Sequence, residues 1–260
     1  MAIERIVPGT KEWEAFYANH ILRYQFASQI LNGSTTKSLL DAACGVGYGS
    51  EYLSKQPGIE KVVAIDRSAE ALKIAAAHFN SAKINFLQDD CHTLEAAEKY
   101  GLYDAVVSFE TLEHLPRPAD FLSSCFANIK SNGKIIISTP NKSVSSPEEL
   151  NWEYHEKEYS ATEFFEVLSQ AGFKNIQLYG QQYNLKGKIK NEVRGDLNKL
   201  FSNPFVRAGR WLQGRLKGHT NTPILKETID DFEIVRYNEP ADCERLGING
   251  PFVLIAVAEK

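Results

Sequence analysis

The stretch from Leu39 to Gly49 constrains the fold of this chain more than any other part of its sequence. An apolar run ends in Asp41, and glycines follow at positions 45, 47 and 49. Glycine allows the backbone to adopt positive φ or to approach a ligand closely, which a side chain would prevent. The pattern therefore predicts a buried strand, a tight turn and the beginning of a helix.

Other apolar runs, separated by helical patterns, extend the same architecture along the chain. Predicted strands lie at residues 38–43, 61–66, 84–87, 103–109, 134–138, 174–179 and 252–258. Continuous apolar strands that alternate with helices are typical of a parallel sheet with both faces covered. The predicted fold is therefore α/β, a doubly wound and mostly parallel sheet of seven strands.

Three parts of the chain differ in their patterns. Residues 1–35 carry aromatic and apolar side chains at helical spacing, which predicts one or two N-terminal helices that form a cover. Residues 36–180 and 251–260 form the predicted core, and residues 181–250 form a helical insertion before the last strand. From Gln181 to Thr220 the insertion has nine Lys or Arg residues against Glu192 and Asp196. We expect this insertion to form a lid over a substrate site, or else a solvated pair of basic helices.

Composition limits the partners and the location. A net charge of −4 and a pI near 5.9 give no general attraction to nucleic acid, although the basic insertion allows contact with a glycan or a membrane surface. No apolar run approaches the roughly 20 residues that span a bilayer, and the N-terminus is too polar for a signal peptide. Four scattered cysteines without metal-ligand spacing indicate a reducing compartment, so we expect a cytoplasmic protein.

A second acid indicates which cofactor to expect. Asp66 ends the second predicted strand, 25 residues after Asp41, where a carboxylate can accept hydrogen bonds from a ribose diol. A dinucleotide requires the spacing G-x-G-x-x-G, whereas the spacing here is G-x-G-x-G with an acid before it. A carboxylate repels a pyrophosphate and attracts an ammonium or sulfonium group. The pattern therefore favours S-adenosylmethionine over a dinucleotide.

Four motifs occur in order at the carboxyl ends of predicted strands. They are Leu39 to Gly49, Asp66, Asp90-Cys91 and Tyr103 to Glu110. With these motifs the sequence resembles the class I S-adenosylmethionine-dependent methyltransferases over residues 36–180 and the last strand. The resemblance implies a Rossmann-like fold, ribose binding by Asp66, and adenine binding by Asp90 and the Cys91 amide. Each acid also has a structural alternative, since Asp66 can cap the next helix and Asp90 can lie in a solvated turn.

The N-terminal segments from Glu4 to Gly9 and from His20 to Ala27 are similar to a bacterial branch of this family. That branch often accompanies glycosyltransferases and surface-polysaccharide assembly. The similarity implies a helix over the cofactor, with Arg23 as a candidate partner of the methionine carboxylate and Tyr17 or Tyr24 lining the same space. A solvated Arg23 and a core Tyr24 are the alternatives. The residues predicted to bind the cofactor are Arg23, Asp41, Ala43, Gly45, Gly47, Asp66, Arg67, Asp90, Cys91, Phe109 and Glu110.

Methyl transfer to a hydroxyl requires alignment of the acceptor and removal of its proton. His155 is the first candidate for the base, because it follows the loop Thr139-Pro140-Asn141 and can fold back over the pocket. His114, just after the fourth predicted strand, is the second candidate. A purely structural hydrogen bond is the alternative for each histidine.

The sequence Glu110-Thr111-Leu112-Glu113-His114 also raises the question of a metal. Glu110, Glu113 and His114 share one side if this is the first turn of a helix, and His155 would complete a set of two acids and two histidines. The pattern is similar to that of small-RNA 2′-O-methyltransferases, which use a divalent ion to activate a ribose hydroxyl. The same residues occur in metal-free relatives that resemble ubiquinone-pathway O-methyltransferases. Our prediction is a site without metal.

Three functions are compatible with these patterns. The first is O-methylation of a sugar or glycan hydroxyl, and the second is methylation of a quinone-like or other small-molecule hydroxyl, or of an amine. The third is a binding module that has lost catalysis, against which the intact Asp41, Gly45, Gly47, Asp66 and Asp90 argue. These residues do not determine the acceptor or the oligomeric state.

Overall fold

The computed structural model describes residues 7–33, 35–145, 155–192 and 228–260 of the 260-residue chain. Its strands are β1 Ser38–Ala42, β2 Lys61–Asp66, β3 Ile84–Gln88, β4 Tyr103–Phe109, β5 Ile129–Pro140, β6 Lys174–Tyr183, β7 Phe232–Tyr237 and β8 Val253–Glu259. Its α-helices are α1 Lys11–Leu31, α2 Tyr48–Ser54, α3 Ala69–His78, α4 Pro118–Asn128, α5 Ala161–Gln170 and α6 Pro240–Glu244. Residues 185–192 are also helical.

The strands form one mixed sheet in the order β3-β2-β1-β4-β5-β8-β6-β7. Strands β1 to β5 run parallel, whereas β8 is antiparallel to both β5 and β6. The α/β, mostly parallel architecture that the sequence predicts is therefore confirmed. This arrangement brings the carboxyl ends of β1, β2, β4 and β5 to one edge, which we call the carboxyl edge of the sheet.

The number of strands is eight rather than the predicted seven. The additional strand, β7, pairs antiparallel with β6 and lies within residues 181–250, which the sequence pattern assigns to the insertion. It is an edge strand, so it has only one neighbour and its residues are mostly half-buried or exposed. Its sequence Phe-Glu-Ile-Val-Arg-Tyr consequently has no continuous apolar run of the kind that marks the interior strands.

Both faces of the sheet are covered, as expected for a doubly wound fold. On one face, Leu39, Val62 and Val107 pack in a cluster with α1 and α2. On the other face, Leu40 and Val63 pack in a cluster with α4 and α5. Side chains of consecutive strand residues point to opposite faces, so strands buried on both faces consist of apolar residues throughout.

A single helix, α1, covers the N-terminal side within the described residues, where the sequence pattern predicts one or two. It has 21 residues and begins after Thr10, whose side chain accepts a hydrogen bond from the Trp13 amide. Ile21 and Tyr24 are buried against the sheet, so α1 places its middle turns beside the loop that follows β1. None of the helices in the described ranges has the length and apolar character of a membrane span.

Candidate functional site

The loop after β1 has the left-handed backbone that its glycines predict. Ala43, Gly45 and Gly47 have φ values of 65°, 56° and 88°. A Cβ atom at Gly47 would lie 2.8 Å from Ala75 and 2.9 Å from Phe86, so this glycine allows the loop to pack on the rest of the chain. A Cβ at Gly45 would meet nothing within 4 Å among the described residues. Gly45 is therefore the position where a ligand can approach the backbone.

The third glycine of the loop serves a different purpose. A Cβ at Gly49 would overlap the ring of Tyr24, which lies across the beginning of α2. The Tyr24 ring also contacts Phe109 edge-on, with ring centroids 4.8 Å apart. Tyr24 is thus a core residue, as its structural alternative proposes, and it also reaches the acid before the loop.

Asp41 is fully buried directly before the glycine loop. Its Oδ2 accepts a hydrogen bond of 2.6 Å from Ser50 Oγ, and its Oδ1 accepts one of 3.4 Å from the Tyr24 hydroxyl. Burial raises the pKa of Asp41 to about 7, because these two hydroxyl donors compensate only part of the lost hydration. No cationic side chain in the described residues forms an ion pair with it, so a cationic ligand group would supply the missing charge.

Asp66 ends β2 and is bound mainly by backbone amides. Its Oδ2 accepts from the Gly45 amide at 3.0 Å, and its Oδ1 accepts from the Ser68 amide at 2.8 Å. Ser68 in turn caps α3. The carboxylate therefore links the glycine loop to the next helix, at the end of β2 where the family resemblance implies a ribose-binding acid. The side chain of the neighbouring Arg67 is exposed.

Asp90 and Cys91 follow β3 and differ strongly in exposure. The side chain of Asp90 is 64% exposed, and its Oδ1 is 2.8 Å from the donating His92 amide and 2.7 Å from His92 Nδ1. These hydrogen bonds lower the pKa of Asp90, so it is ionised and available to an adenine amino group. Cys91 is buried, and burial raises the pKa of its thiol to about 12. The preceding acid, Asp89, binds the amides of Ala96 and Ala97 instead.

Arg23 is one of the most deeply buried residues of the chain rather than a solvated one. Only 1% of its surface is exposed. Its Nη1 atom donates to Asn19 Oδ1 at 3.1 Å and to Gln181 Oε1 at 3.0 Å. Its Nε and Nη2 atoms have no hydrogen-bond partner within the described part of the chain. Buried donors without partners are costly, and this orphaned pair fits the carboxylate of a ligand.

Phe109 and Glu110 mark the end of β4. Glu110 has a φ of 52°, which is unusual for a residue other than glycine and typical of functional sites. Its Oε1 accepts a hydrogen bond of 2.7 Å from Ser138 Oγ of β5. The strained turn directs the backbone away from the sheet and into a 3-10 turn that carries Glu113 and His114.

Glu113, His114 and His155 form a cluster at the carboxyl edge. The His114 and His155 rings meet edge-on with centroids 4.9 Å apart, and His114 Nε2 lies 3.8 Å from Glu113 Oε1. Glu113 is buried and accepts a hydrogen bond of 3.0 Å from Thr139 Oγ1. Burial, reinforced by the nearby charge of Glu110, raises the pKa of Glu113 well above its ordinary value.

His155 is oriented by a second buried acid. Its Nδ1 lies 3.0 Å from Glu158 Oε1, and the two side chains are 8% and 3% exposed. Ser145 donates a hydrogen bond to the other oxygen of Glu158. The segment is fixed against the end of β4, because the amides of Glu156 and Lys157 both donate to the Glu113 carbonyl oxygen. Residues 155–157 therefore lie against the end of β4, and the return of the whole stretch over the cofactor pocket stays a prediction.

Several residues of this site were not singled out from the sequence. Glu158, three positions after His155, shows the spacing of a side-chain pair on one turn, and this spacing is a usable signal. Ser138 and Thr139, which hold the two glutamates, and Gln181, which holds Arg23, have no local signal that distinguishes them from other polar strand residues.

Three of the four residues in the predicted metal-ligand set lie close together. The ligand atoms of Glu113, His114 and His155 lie within 4.8 Å of one another. Glu110, the fourth member of the predicted set, is not in this group among the described residues and is bound to Ser138. Three ligands of these types can hold a divalent ion with solvent or substrate completing its shell.

Part of the predicted site lies outside the described residues. Residues 193–227 include most of the basic side chains of the predicted insertion, and residues 146–154 include the beginning of the stretch before His155. The acceptor lid therefore stays a prediction. The helical residues 185–192 and the turn before β7 are the described parts on either side of residues 193–227.

Comparison with known proteins agrees with this geometry. Residues 15–178, more than half of the chain, match a family model described as a methyltransferase domain. The ubiquinone biosynthesis O-methyltransferase of Vibrio campbellii is 29% identical over 192 residues, which cover 66% of this chain and 79% of that protein.

Two solved structures illustrate the similarity in fold. A SAM dependent methyltransferase from Archaeoglobus fulgidus superimposes with a TM-score of 0.57 at 17% identity, covering 93% of this chain and 94% of that chain. Phosphoethanolamine N-methyltransferase 2 of Haemonchus contortus, in complex with S-adenosyl-L-methionine, gives a TM-score of 0.55 at 15% identity over 93% of this chain and 52% of that chain. At these identities the similarity concerns the fold alone.

Proposed function

The chain belongs to the methyltransferase-domain family of class I S-adenosylmethionine-dependent enzymes, and from this premise we propose that it methylates a hydroxyl group of a small molecule, with His155 as the general base. The observation that carries the proposal is the buried pair of His155 Nδ1 and Glu158 Oε1, 3.0 Å apart. This pair stands beside Glu113 and His114 at the carboxyl edge, where ligands of open α/β sheets bind.

The residues at this edge fit the cofactor. The buried Asp41 complements a cationic group, Gly45 leaves room beside the backbone, and two donors of Arg23 that have no partner among the described residues suit a carboxylate. Asp66 and Asp90 are the proposed partners of the ribose and the adenine. S-adenosylmethionine supplies a methyl group that is already activated by a positively charged sulfur. The remaining predicted contacts, Ala43, Gly47, Arg67, Cys91, Phe109 and Glu110, stay predictions.

His155 has the arrangement that a general base requires. The hydrogen bond to Glu158 favours the tautomer with the proton on Nδ1, so the lone pair is on Nε2. Nε2 accepts the proton of the acceptor hydroxyl as the bond from oxygen to the methyl carbon forms. Glu158, itself bound by Ser145, stabilises the resulting imidazolium, which then releases the proton to solvent.

The name of the Vibrio relative supports a small-molecule hydroxyl as acceptor, since this chain covers 79% of that ubiquinone biosynthesis O-methyltransferase. The sugar or glycan acceptor that the sequence favours first has no support from this relative and becomes the alternative. Methylation of an amine is a further alternative. A screen with catechols, sugar nucleotides and primary amines, using a labelled methyl donor, separates the three classes.

A metal-assisted reaction is the second candidate, and the proximity of Glu113, His114 and His155 favours it. A divalent ion held by these residues would supply a Lewis acid that lowers the pKa of the acceptor hydroxyl. In that case His155 would be a ligand rather than a base. Our prediction of a site without metal is tested by turnover in the presence of a chelator, which leaves the metal-free reaction unchanged and abolishes the metal-assisted one.

We expect His155→Asn to lower kcat at neutral pH by roughly 10²- to 10⁴-fold, because the hydroxyl proton loses its acceptor. S-adenosylhomocysteine binding, measured by calorimetry, should stay at the native value. His78→Asn is the matched control, since His78 is exposed on α3, and it should keep native turnover. Native turnover of the His155 variant would refute the base assignment, and failure of the native chain to turn over any acceptor while binding cofactor would favour a non-catalytic module.

A further inference from the structure

The guanidinium group of Arg23 is held from one side by two amides. Nη1 uses its hydrogens for Asn19 Oδ1 and Gln181 Oε1, at 3.1 and 3.0 Å. Gln181 has no exposed surface, and its own amide nitrogen donates to the Asn19 backbone oxygen at 2.9 Å. Since Gln181 is fixed to both Asn19 and Arg23, the two amides determine the orientation of the guanidinium plane as well as its position.

The opposite edge of the same guanidinium has donors but no acceptor among the residues that the structure describes. The hydrogens of Nε and of the adjacent Nη2 point in one direction, and this parallel pair matches the two oxygens of a carboxylate. Leaving buried donors unpaired is destabilising, because each donor has lost its hydrogen bonds to water. Within the described residues, this edge is therefore suited to the carboxylate of a ligand.

Neighbouring residues of α1 show which part of a ligand this edge meets. Tyr24, next to Arg23, reaches Asp41, and His20, one turn earlier, lies 3.4 Å from the Tyr48 hydroxyl at the start of α2. The charge of Arg23 acts on both Tyr24 and Tyr48, so its guanidinium lies on the side of α1 that faces the beginning of α2 and the glycine loop. A carboxylate beside Arg23 and an ammonium group beside Asp41 are the two ends of an amino acid, which is the methionine part of the cofactor.

We propose that Gln181, together with Asn19, is a positioning residue that aims the Nε–Nη2 edge of Arg23 at the methionine carboxylate, and so makes the site selective for adenosylated ligands that carry one. Gln181 acts through Arg23 and does not touch the cofactor. The proposal rests on the cofactor assignment made above, and it is independent of the base and of the acceptor. It gives β6, which carries none of the sequence motifs, a part in cofactor selectivity.

The test compares two ligands by calorimetry. S-adenosylhomocysteine carries the carboxylate, and its decarboxylated analogue keeps the adenosine, the thioether and the amine. We expect the native chain to prefer the first by roughly 10- to 100-fold, the worth of a charge-assisted hydrogen-bonded pair. In Gln181→Met, which keeps the side-chain length and loses both polar atoms, we expect this preference to fall by about tenfold.

Two further variants keep the test decisive. Gln182→Met changes the next residue of β6, whose side chain is bonded to Glu233, and it should preserve the native preference. Asn19→Ala removes the second amide and should reduce the preference as Gln181→Met does. An affinity loss that is equal for both ligands in Gln181→Met and in Asn19→Ala would reveal a merely structural role and overturn the proposal.

Binding measurements on the native chain distinguish a failure of this proposal from a failure of the cofactor assignment. Binding of both ligands with equal affinity would overturn the role of Gln181 and leave the cofactor assignment intact. Absence of any binding of S-adenosylhomocysteine would overturn both.

Discussion

Asp41 and Glu113 are carboxyl groups that the fold removes from water at the same edge of the sheet. Burial is the largest cause of the raised pKa in each, and in Glu113 the charge of Glu110 adds to it. The hydroxyl groups of Ser50 and Thr139 satisfy these acids without neutralising them. Residues of this kind destabilise the ligand-free chain when they ionise, and they become favourable when a cationic group arrives.

Asp41 gives the ligand-free protein a pH-dependent stability. Its pKa is about 7 in the folded chain, against an ordinary value of 3.8, so the folded state retains a proton that the unfolded state loses between these values. The free energy of unfolding therefore falls as the pH rises from about 4 to about 7, by up to about 4 kcal/mol from this residue, since each pKa unit is worth about 1.4 kcal/mol. In Asp41→Asn this contribution should disappear.

Urea unfolding at pH 5 and pH 8 measures the effect. The raised pKa of Glu113 makes the free energy of unfolding fall with rising pH in the same way. Glu113→Gln is therefore the matched control, and it should remove the pH dependence that comes from Glu113 and keep the part that comes from Asp41. An Asp41→Asn variant with the native difference between the two pH values would contradict the prediction.

At the scale of elements, the connection between β6 and β7 is tied at its base by one buried acid. Asp231 has no exposed surface and accepts from Lys190 Nζ at 2.6 Å and from the Thr228 amide at 2.7 Å, with Lys186 Nζ 3.5 Å away. These contacts hold the helical residues 185–192 beside the beginning of β7. The described segments on either side of residues 193–227 are therefore both anchored to the sheet.

We expect Asp231→Asn to lower the free energy of unfolding by about 1–3 kcal/mol, because the two lysines lose a buried charged acceptor. Hydrogen exchange should accelerate most in residues 185–192. Asp230→Asn is the control, since Asp230 is exposed on the same turn. This substitution should leave the free energy of unfolding unchanged. Equal effects of the two substitutions would show that the ion pairs do not hold the connection.

At the scale of the whole molecule, the cofactor would join parts of the chain that are distant in sequence. Its predicted partners come from α1, from the loop after β1 and from the ends of β2 and β3, and Arg23 of α1 is bonded to β6. A ligand that binds all of these only in the folded state stabilises the whole sheet by mass action.

S-adenosylhomocysteine at about 100 times its dissociation constant should contribute about 2.7 kcal/mol and raise Tm by about 5–10 °C. ATP is the control ligand, because it has the same adenosine but a triphosphate where the loop and Asp41 favour a cationic group. Scanning calorimetry measures both. Equal stabilisation by ATP would contradict the assignment of the loop to a methionine group.

The fold and the family were predictable because both depend on short, local patterns. The strands β2 and β4 begin and end at the residues that their apolar runs predict. The edge strand β7 was not predictable in this way, since a strand with one partner alternates polar and apolar residues as a loop can. The association with polysaccharide assembly rested on resemblance alone, and the comparisons show only the methyltransferase family.

By itself, the sequence determined the order of the strands other than β7 along the chain, the acid and glycine loop after the first strand, and the residue types at the strand ends. These follow from the period of apolar residues and from the backbone that glycine permits, which are properties of neighbouring residues. Only the tertiary structure decided which polar groups meet. Arg23 and Gln181 are 158 positions apart, and Gly49 faces Tyr24 rather than open space. Such pairs form because packing brings distant elements into contact and burial then requires each polar group to find a partner.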